Sequence, residues 1–321
     1  MRAIVTGMIA SYPVGGVLWD YGQYALGLER LGFEVYYLED TGWQTYDPVQ
    51  GAYSEDCSYG VRFLERSLAA LSPALGARWH FRAMDGRTFG MSAAALAEVI
   101  STADIFLNVS GGTLLRDEYM ACRRKVLIDS DPGWNHFRNY PKWDASPRWQ
   151  GTHGYRAHDY FFTYAEQLGR ADCVLPSLGL PWQPTRPVVV LDQWREEPPG
   201  DTWTTVMTWK NFQEPIVYDG VAYGTKEMEF ERIQEAARHV GRQVGLLRIL
   251  VQQPEFVGLQ LREHERIRRC RPASREQAQH KKNPARAPRL HCPSPVSACA
   301  AAPSPARPYN KKPPAVCRRL V

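Results

Sequence analysis

The chain has 321 residues, 44% of them hydrophobic and 12% aromatic, with 39 Lys and Arg against 34 Asp and Glu, a net charge of +5. This is enough apolar material for a sizeable core, and the length sets a soft expectation of about two domains. It excludes a helix across a bilayer, since no run approaches the ~20 apolar residues such a helix needs. Of its seven Cys, Cys57, Cys122 and Cys173 stand singly with no C-x-x-C spacing and read as reduced core residues, while Cys270, Cys292, Cys299 and Cys317 fit no zinc pattern.

Residues 1–7 carry one basic residue and a short apolar run broken at Gly7, which fails as a signal peptide and reads as a first strand over 3–8. The expected compartment is the cytoplasm. From Asp20 to Leu31, Tyr24, Leu28 and Leu31 recur at i, i+4 and i+7, the spacing of an amphipathic helix that Gly32 ends. A strand follows over 34–38, then helices over 59–71 and 92–101 with a strand near 78–82 between them. Strands are expected at 105–109 and 126–128, separated by a helix near 114–122. Residues 133–158 set Trp134, Tyr140, Trp143, Trp149 and Tyr155 among Pro, Asn, Arg and His, the composition of a long irregular insertion. The sheet resumes at 160–163, and 188–191 is an apolar run of the buried type. Strands alternating with helices of about a dozen residues predict βαβ units and a mostly parallel, Rossmann-like sheet in an α/β fold.

Pro198-Pro199-Gly200 reads as a linker, after which a strand at 204–209 and a hairpin about Asp219-Gly220 begin a second domain. The expected division is 1–197, a first α/β domain; 198–233, the start of a second; and 234–321, a basic tail of low order. Up to residue 231 there are 20 Lys and Arg against 29 Asp and Glu, net −9, whereas from 232 there are 19 against 5, net +14. Residues 235–269 retain helix formers, although Val244, Leu246, Leu247, Ile249, Leu250 and Val251 are bunched rather than spaced on one helix face. Pro clusters from 284 to 314, in a segment with too little apolar surface to offset its ordering entropy. Basic charge without interleaved aromatics argues against nucleic acid as partner, while peripheral contact with an anionic membrane surface stays open. Arg-, Pro- and Ala-rich sequence with stray Cys is also what out-of-frame reading of GC-rich DNA produces.

The first strand runs into a loop over 7–16 containing Gly15 and Gly16, at the carboxyl edge where α/β folds bind ligands. Its glycines allow close backbone approach, but it lacks the G-x-G-x-x-G spacing of a dinucleotide site. Asp20, beside Trp19 near the helix start, suits either the helix dipole or a role as general base and hydroxyl acceptor. Ser110, Gly111 and Gly112 follow another strand and Asp129 and Asp131 the next, so three polar loops converge on one edge. Carboxylates there suit hydroxyl recognition, Trp134 suits stacking on a sugar ring, and Glu166 follows a further strand toward the same edge. Lys210 and Asn211 follow the first strand of the second domain and Lys226 opens a helix there, which suits a diphosphate. Each of these has a plainer reading as a turn, a cap or a surface charge. His136, His153 and His158 are too widely spaced for a local metal motif and read as hydrogen-bonded residues. No metal site and no G-x-S-x-G nucleophile is expected.

Residues 3–40, with Pro13-Val14-Gly15-Gly16-Val17-Leu18-Trp19-Asp20-Tyr21 inside them, resemble the N-terminal domain of bacterial GT-B glycosyltransferases. Leu127-Ile128-Asp129-Ser130-Asp131-Pro132-Gly133, Asp159-Tyr160-Phe161-Phe162-Thr163-Tyr164 and Thr205-Val206-Met207-Thr208-Trp209 continue the resemblance over roughly residues 1–233. It implies two facing Rossmann-like domains, the first binding the acceptor and the second a nucleotide-sugar donor as co-substrate, with no bound cofactor or metal. It would put Gly15, Gly16, Gly111, Gly112 and Asp131 on the acceptor side, Lys210 near the donor phosphates, and Asp20 in the place of the base. The acceptor would be a carbohydrate, a lipid-linked molecule or another small molecule. After Ile233 the sequence shows neither further βαβ pattern nor a paired-glutamate donor motif, so the chain is expected to be inactive alone. The alternative is a non-catalytic carbohydrate- or partner-binding protein with a basic anion-binding tail.

Overall fold

The computed structural model describes residues 1–145, 152–194, 198 and 214–226, together with the backbone of 202–208 and 243–249. β1 (Arg2–Thr6) leads into α1 (Gly15–Arg30), β2 (Glu34–Glu39), the hairpin of β3 (Thr45–Asp47) and β4 (Ala52–Ser54), α2 (Ser58–Leu71), α3 (Pro73–Ala77), β5 (Trp79–Arg82) and β6 (Thr88–Gly90). Then come α4 (Ala93–Thr102), β7 (Ile105–Val109), β8 (Leu115–Arg116), a 3-10 turn (Asp117–Ala121) and β9 (Lys125–Asp129). A helical stretch follows, made of α5 (Pro132–Trp134), a π turn (Asn135–Asn139) and α6 (Tyr140–Ala145). β10 (Thr152–His153), β11 (Tyr160–Thr163), β12 (Gln183–Pro184), β13 (Thr202–Thr208), β14 (Ile216–Tyr218), β15 (Val221–Tyr223) and β16 (Gln243–Ile249) complete the described elements.

Eight strands make one sheet in the order β12-β11-β9-β7-β1-β2-β5-β6, with every pair parallel except β5 and β6. The run β5-β2-β1-β7-β9-β11 has the 3-2-1-4-5-6 order of a doubly wound sheet, so the fold is Rossmann-like and its winding reverses between β1 and β7. Alternation along the strands divides the core between two faces. Val5, Tyr37, Val109 and Ile128 pack with Tyr21 and Tyr24 of α1 and Leu64 and Leu68 of α2. Ile4, Leu38 and Phe106 face the other way, onto Leu96, Val99 and Ile100 of α4. On that second face Leu127 and Phe161 meet Tyr140 and Tyr155.

Local chemistry sets several boundaries. Ser92 accepts the Ala95 N–H at 3.2 Å and starts α4. Ser72 accepts the Ala74 N–H at 3.2 Å and starts α3, with Pro73 at its first position. α1 begins at Gly15, five residues ahead of the expected start, with extended Val14 before it and no side-chain cap. Gly15 and Gly16 therefore belong to the first turn, and Asp20 to the second. Leu31, expected on the inner face, is 76% exposed just past the helix end.

Three further expectations are corrected. Residues 114–122 form β8 and the 3-10 turn, because Arg116 and the Tyr119 hydroxyl are drawn onto the buried carboxylate of Asp40, the latter at 2.8 Å. Residues 132–145 are helical rather than irregular, since Tyr140 and Trp143 pack under the sheet and Asn135 and His136 turn onto Asp129. Residues 188–191 do not enter the sheet: Val189 is 55% and Leu191 78% exposed, while Val188 and Val190 lie against Gly27 of α1.

β13 and β16 pair in parallel, from Thr202 opposite Gln243 to Thr208 opposite Ile249. The bunched apolar run among the helix formers is thus a strand, and such near-continuous runs are typical of parallel pairing. The hairpin lies where Asp219-Gly220 put it, with φ of 49° and 74° at the two turn residues. Lys210, Asn211 and the tail from 234, apart from 243–249, lie outside the described residues. No helix among the described residues is long and apolar enough to cross a membrane.

Candidate functional site

The loops after β1, β7, β9 and β11 all leave the carboxyl edge of the sheet, on both sides of the reversal between β1 and β7. Doubly wound folds form their ligand crevice there. Ser110 and Gly111 bring the β7 loop into it with successive left-handed backbones, φ 60° and 61°. For a serine this conformation costs about 1 kcal/mol and persists only where neighbours hold it. Here the Ser110 N–H donates to the Ile128 carbonyl at 2.8 Å and its Oγ lies 2.5 Å from Ser130 Oγ. Gly112 lets this loop cross the β1 loop, since a Cβ there would stand 2.9 Å from Met8 Cγ.

The β1 loop is held from beneath. Glu39, fully buried at the end of β2, accepts the Ala10 N–H at 2.8 Å, the Ser11 N–H, and the Tyr37 hydroxyl at 3.0 Å, while Tyr37 accepts the Ile9 N–H. Burial outweighs these donors and pushes the Glu39 carboxyl up to about 7. In dinucleotide-binding folds an acid placed after the second strand takes a ribose. Here Glu39 is occupied in shaping the loop.

Hydroxyls and two exposed carboxylates gather at this carboxyl edge. The Tyr24 and Tyr164 hydroxyls are 2.7 Å apart, and the charge of Asp20 acts on those of Tyr21, Tyr24 and Tyr164. Asp20 is solvent-exposed on α1, yet partial desolvation raises its pKa. Asp131, also exposed, is raised by desolvation, an effect opposed by the Trp134 N–H and reinforced by Asp129. Gly15 and Gly16 open onto free space, with no atom within 4 Å of where a Cβ would stand. The arrangement can accept protons from, and hydrogen-bond to, a ligand rich in hydroxyls.

Other expected site residues are engaged elsewhere. Asp129 is fully enclosed and accepts from Asn135 Nδ2 at 2.6 Å, Thr163 Oγ1 at 3.0 Å and His136 Nε2 at 3.0 Å. His136 Nδ1 faces the Pro176 carbonyl at 2.7 Å. Both ring nitrogens of His136 thus lie within hydrogen-bond distance of oxygens, which fixes the ring beneath Asp129. Glu166 pairs with Arg186 at 2.6 Å, Trp19 packs on Trp194 at 5.0 Å, and Trp134 carries the Arg138 guanidinium 4.6 Å over its ring. Lys226 is exposed, and no contact among the described residues ties it to the crevice. Among the described residues no group of three or more His, Cys, Asp or Glu could hold a metal ion.

The sequence reading missed Tyr21, Tyr24, Ser130 and Tyr164 as site residues. Tyr24 was legible as a core position, and the signal available was a tyrosine on an inner helix face, whose hydroxyl needs a polar partner when buried. Comparison with known proteins finds no family model, no curated protein and no solved structure that matches this chain.

Proposed function

We propose that the carboxyl-edge crevice binds the hydroxyl-rich acceptor of a sugar-transfer reaction, and that the chain is a glycosyltransferase-type protein of GT-B kind. The carrying observation is that two exposed carboxylates of raised pKa, Asp20 and Asp131, stand at the same carboxyl edge of the sheet as the paired hydroxyls Tyr24–Tyr164 and Ser110–Ser130. A saccharide acceptor offers many hydroxyls at neutral charge, which such a lining satisfies without a cationic anchor. In an inverting transfer Asp20 takes the proton of the attacking hydroxyl as its oxygen bonds the anomeric carbon. The nucleoside diphosphate then leaves with the electron pair of the broken bond. Lys210, Asn211 and Lys226 are proposed for the donor diphosphate, and the nucleotide-sugar serves as co-substrate.

The test separates a transferase from a binder. Saturation-transfer NMR of the full chain with mono- and disaccharide acceptors should detect binding that Asp131→Asn and Ser110→Ala each weaken about 10-fold, the value of one hydrogen bond to a charged group or slightly less. Indifference to both substitutions sinks the crevice reading. Release of nucleoside diphosphate from a nucleotide-sugar panel, reduced ~100-fold or more by Asp20→Asn, identifies catalysis. Binding without release leaves the carbohydrate-binding alternative standing.

A further inference from the structure

A cavity of about 370 Å³ opens on the second face of the sheet, away from α1. Asn108, Thr113 and Leu115 form one side of it, and Trp143, Tyr155 and the Asp144–Arg156 pair the other. It shares Gly111, Thr113 and Leu114 with the β7 loop but none of Asp20, Ser110, Ser130, Asp131 or Tyr164.

Its frame is already satisfied. Asn108 Oδ1 accepts from Thr6 Oγ1 at 3.0 Å and the Thr113 N–H at 3.3 Å, and its Nδ2 donates to the Thr113 carbonyl at 3.0 Å and His158 Nε2 at 3.1 Å. Every hydrogen-bonding position of that amide is therefore filled. His158 donates from Nδ1 to the Tyr155 carbonyl at 2.6 Å, and burial holds the ring neutral, with its pKa lowered to about 4. Capacity remains in the side chains about the space. Arg156 donates from Nε and Nη2 to Asp144 at 2.8 and 2.7 Å and from Nη1 to the Leu178 carbonyl at 3.1 Å, which leaves further N–H donors of its guanidinium.

Charge, size and ring geometry select the occupant. Asp144 and Arg156 neutralise each other and His153 faces Asp117, so the lining offers no net charge to a phosphate. The volume sits near the lower end of the ~300–1,000 Å³ of small-molecule sites and suits one substituted ring. Tyr155 is stacked on Tyr140 at 4.2 Å and carries Arg156 5.2 Å over its ring, so it cannot form one side of a sandwich around a flat base.

We propose that this cavity is a second ligand site, for a neutral, hydroxylated six-membered ring of monosaccharide size. Its C–H side lies against Trp143 and Leu115, and its hydroxyls reach Asp144 and Arg156. The site does not depend on the function proposed for the crevice.

Glucose, galactose and N-acetylglucosamine titrated into the full chain, with nucleosides and inorganic phosphate as comparison probes, test the assignment by saturation-transfer NMR. Gly154 lines the cavity with an extended backbone (φ −73°, ψ 174°) and no atom within 4 Å of where a Cβ would stand, so Gly154→Trp adds bulk there without a clash at Cβ. The expected result is binding of at least one monosaccharide that Gly154→Trp or Asp144→Asn weakens ~10-fold or more and that the crevice substitution Asp131→Asn leaves unchanged. Thermal melts of the variants confirm folding. No monosaccharide binding up to ~50 mM overturns the proposal. So does tighter binding of a nucleoside or phosphate, sugar binding indifferent to both cavity variants, or sugar binding lost only with Asp131→Asn.

Discussion

Ser110 combines a left-handed backbone with a hydroxyl paired with that of Ser130. Replacing it with glycine removes the strain, worth about 1 kcal/mol, together with a hydrogen bond of similar value. Ser110→Gly should therefore leave the melting temperature nearly unchanged while weakening acceptor binding, and a fall of several degrees would make the hydroxyl a part of the fold instead. Glu39 and His158 make opposite demands on pH. Burial raises Glu39 from 4.5 to about 7, so its contribution to stability is fully present below pH ~4.5 and is lost as pH rises through ~7. Burial lowers His158 from 6.5 to about 4, so its contribution is present above pH ~6.5 and is lost as pH falls toward 4. Each shift corresponds to about 3 kcal/mol, and the two oppose one another over most of this window. Urea midpoints of the wild type should change little between pH ~4.5 and ~6.5 as far as this pair governs them, while Glu39→Gln should unmask a rise with pH. An identical pH profile for that variant would show that Glu39 does not titrate there. Neither residue announced this role in sequence, because burial by distant elements sets both values.

Elements meet at contacts that a few side chains decide. In α2, a Cβ at Gly60 would fall 2.1 Å from the Ala10 carbonyl oxygen, so this helix docks directly on the β1 loop. Gly60→Ala should cost about 1–3 kcal/mol by overpacking, read by denaturant unfolding, and should loosen the loop that leads to Gly15 and Gly16. Under the sheet, Asp129 anchors the π turn through Asn135 and His136. Asp129→Ala leaves the His136 ring without its buried partner and should cost about 1–3 kcal/mol, with the double variant Asp129→Ala/His136→Leu losing less than the two single costs combined. Equal additive losses would mean that the two residues are not coupled. The elements most legible in sequence were those whose own pattern sufficed: β7 and β11 at their observed bounds, α2 within a residue, and the hairpin from Asp219-Gly220. The illegible ones depend on distant partners. Residues 114–122 lose their helix to Asp40, 76 positions from Arg116, and 132–145 become helical around Asp129 and the aromatic cluster beneath the sheet.

At the scale of the molecule, the doubly wound order brings the ends of β1, β7, β9 and β11 to one edge, with α1 on one face and the 370 Å³ cavity on the other. The β7 loop borders both, with Ser110 toward the crevice and Thr113 toward the cavity. Sequence by itself determined the α/β class, the parallel sheet and the polar loops at strand ends, because hydrophobic periods and turn residues are properties of short segments. It also placed Asp20, Ser110 and Asp131 at that edge. Only the tertiary structure decided which of these groups remain open: Asp129, Glu166 and Trp19 found partners, while Asp20 and Asp131 kept exposed carboxyls beside the tyrosine and serine hydroxyls. The physical reason is that exposure, proton affinity and hydrogen-bond satisfaction are set by what the fold packs around a group, and those neighbours lie tens of residues away along the chain.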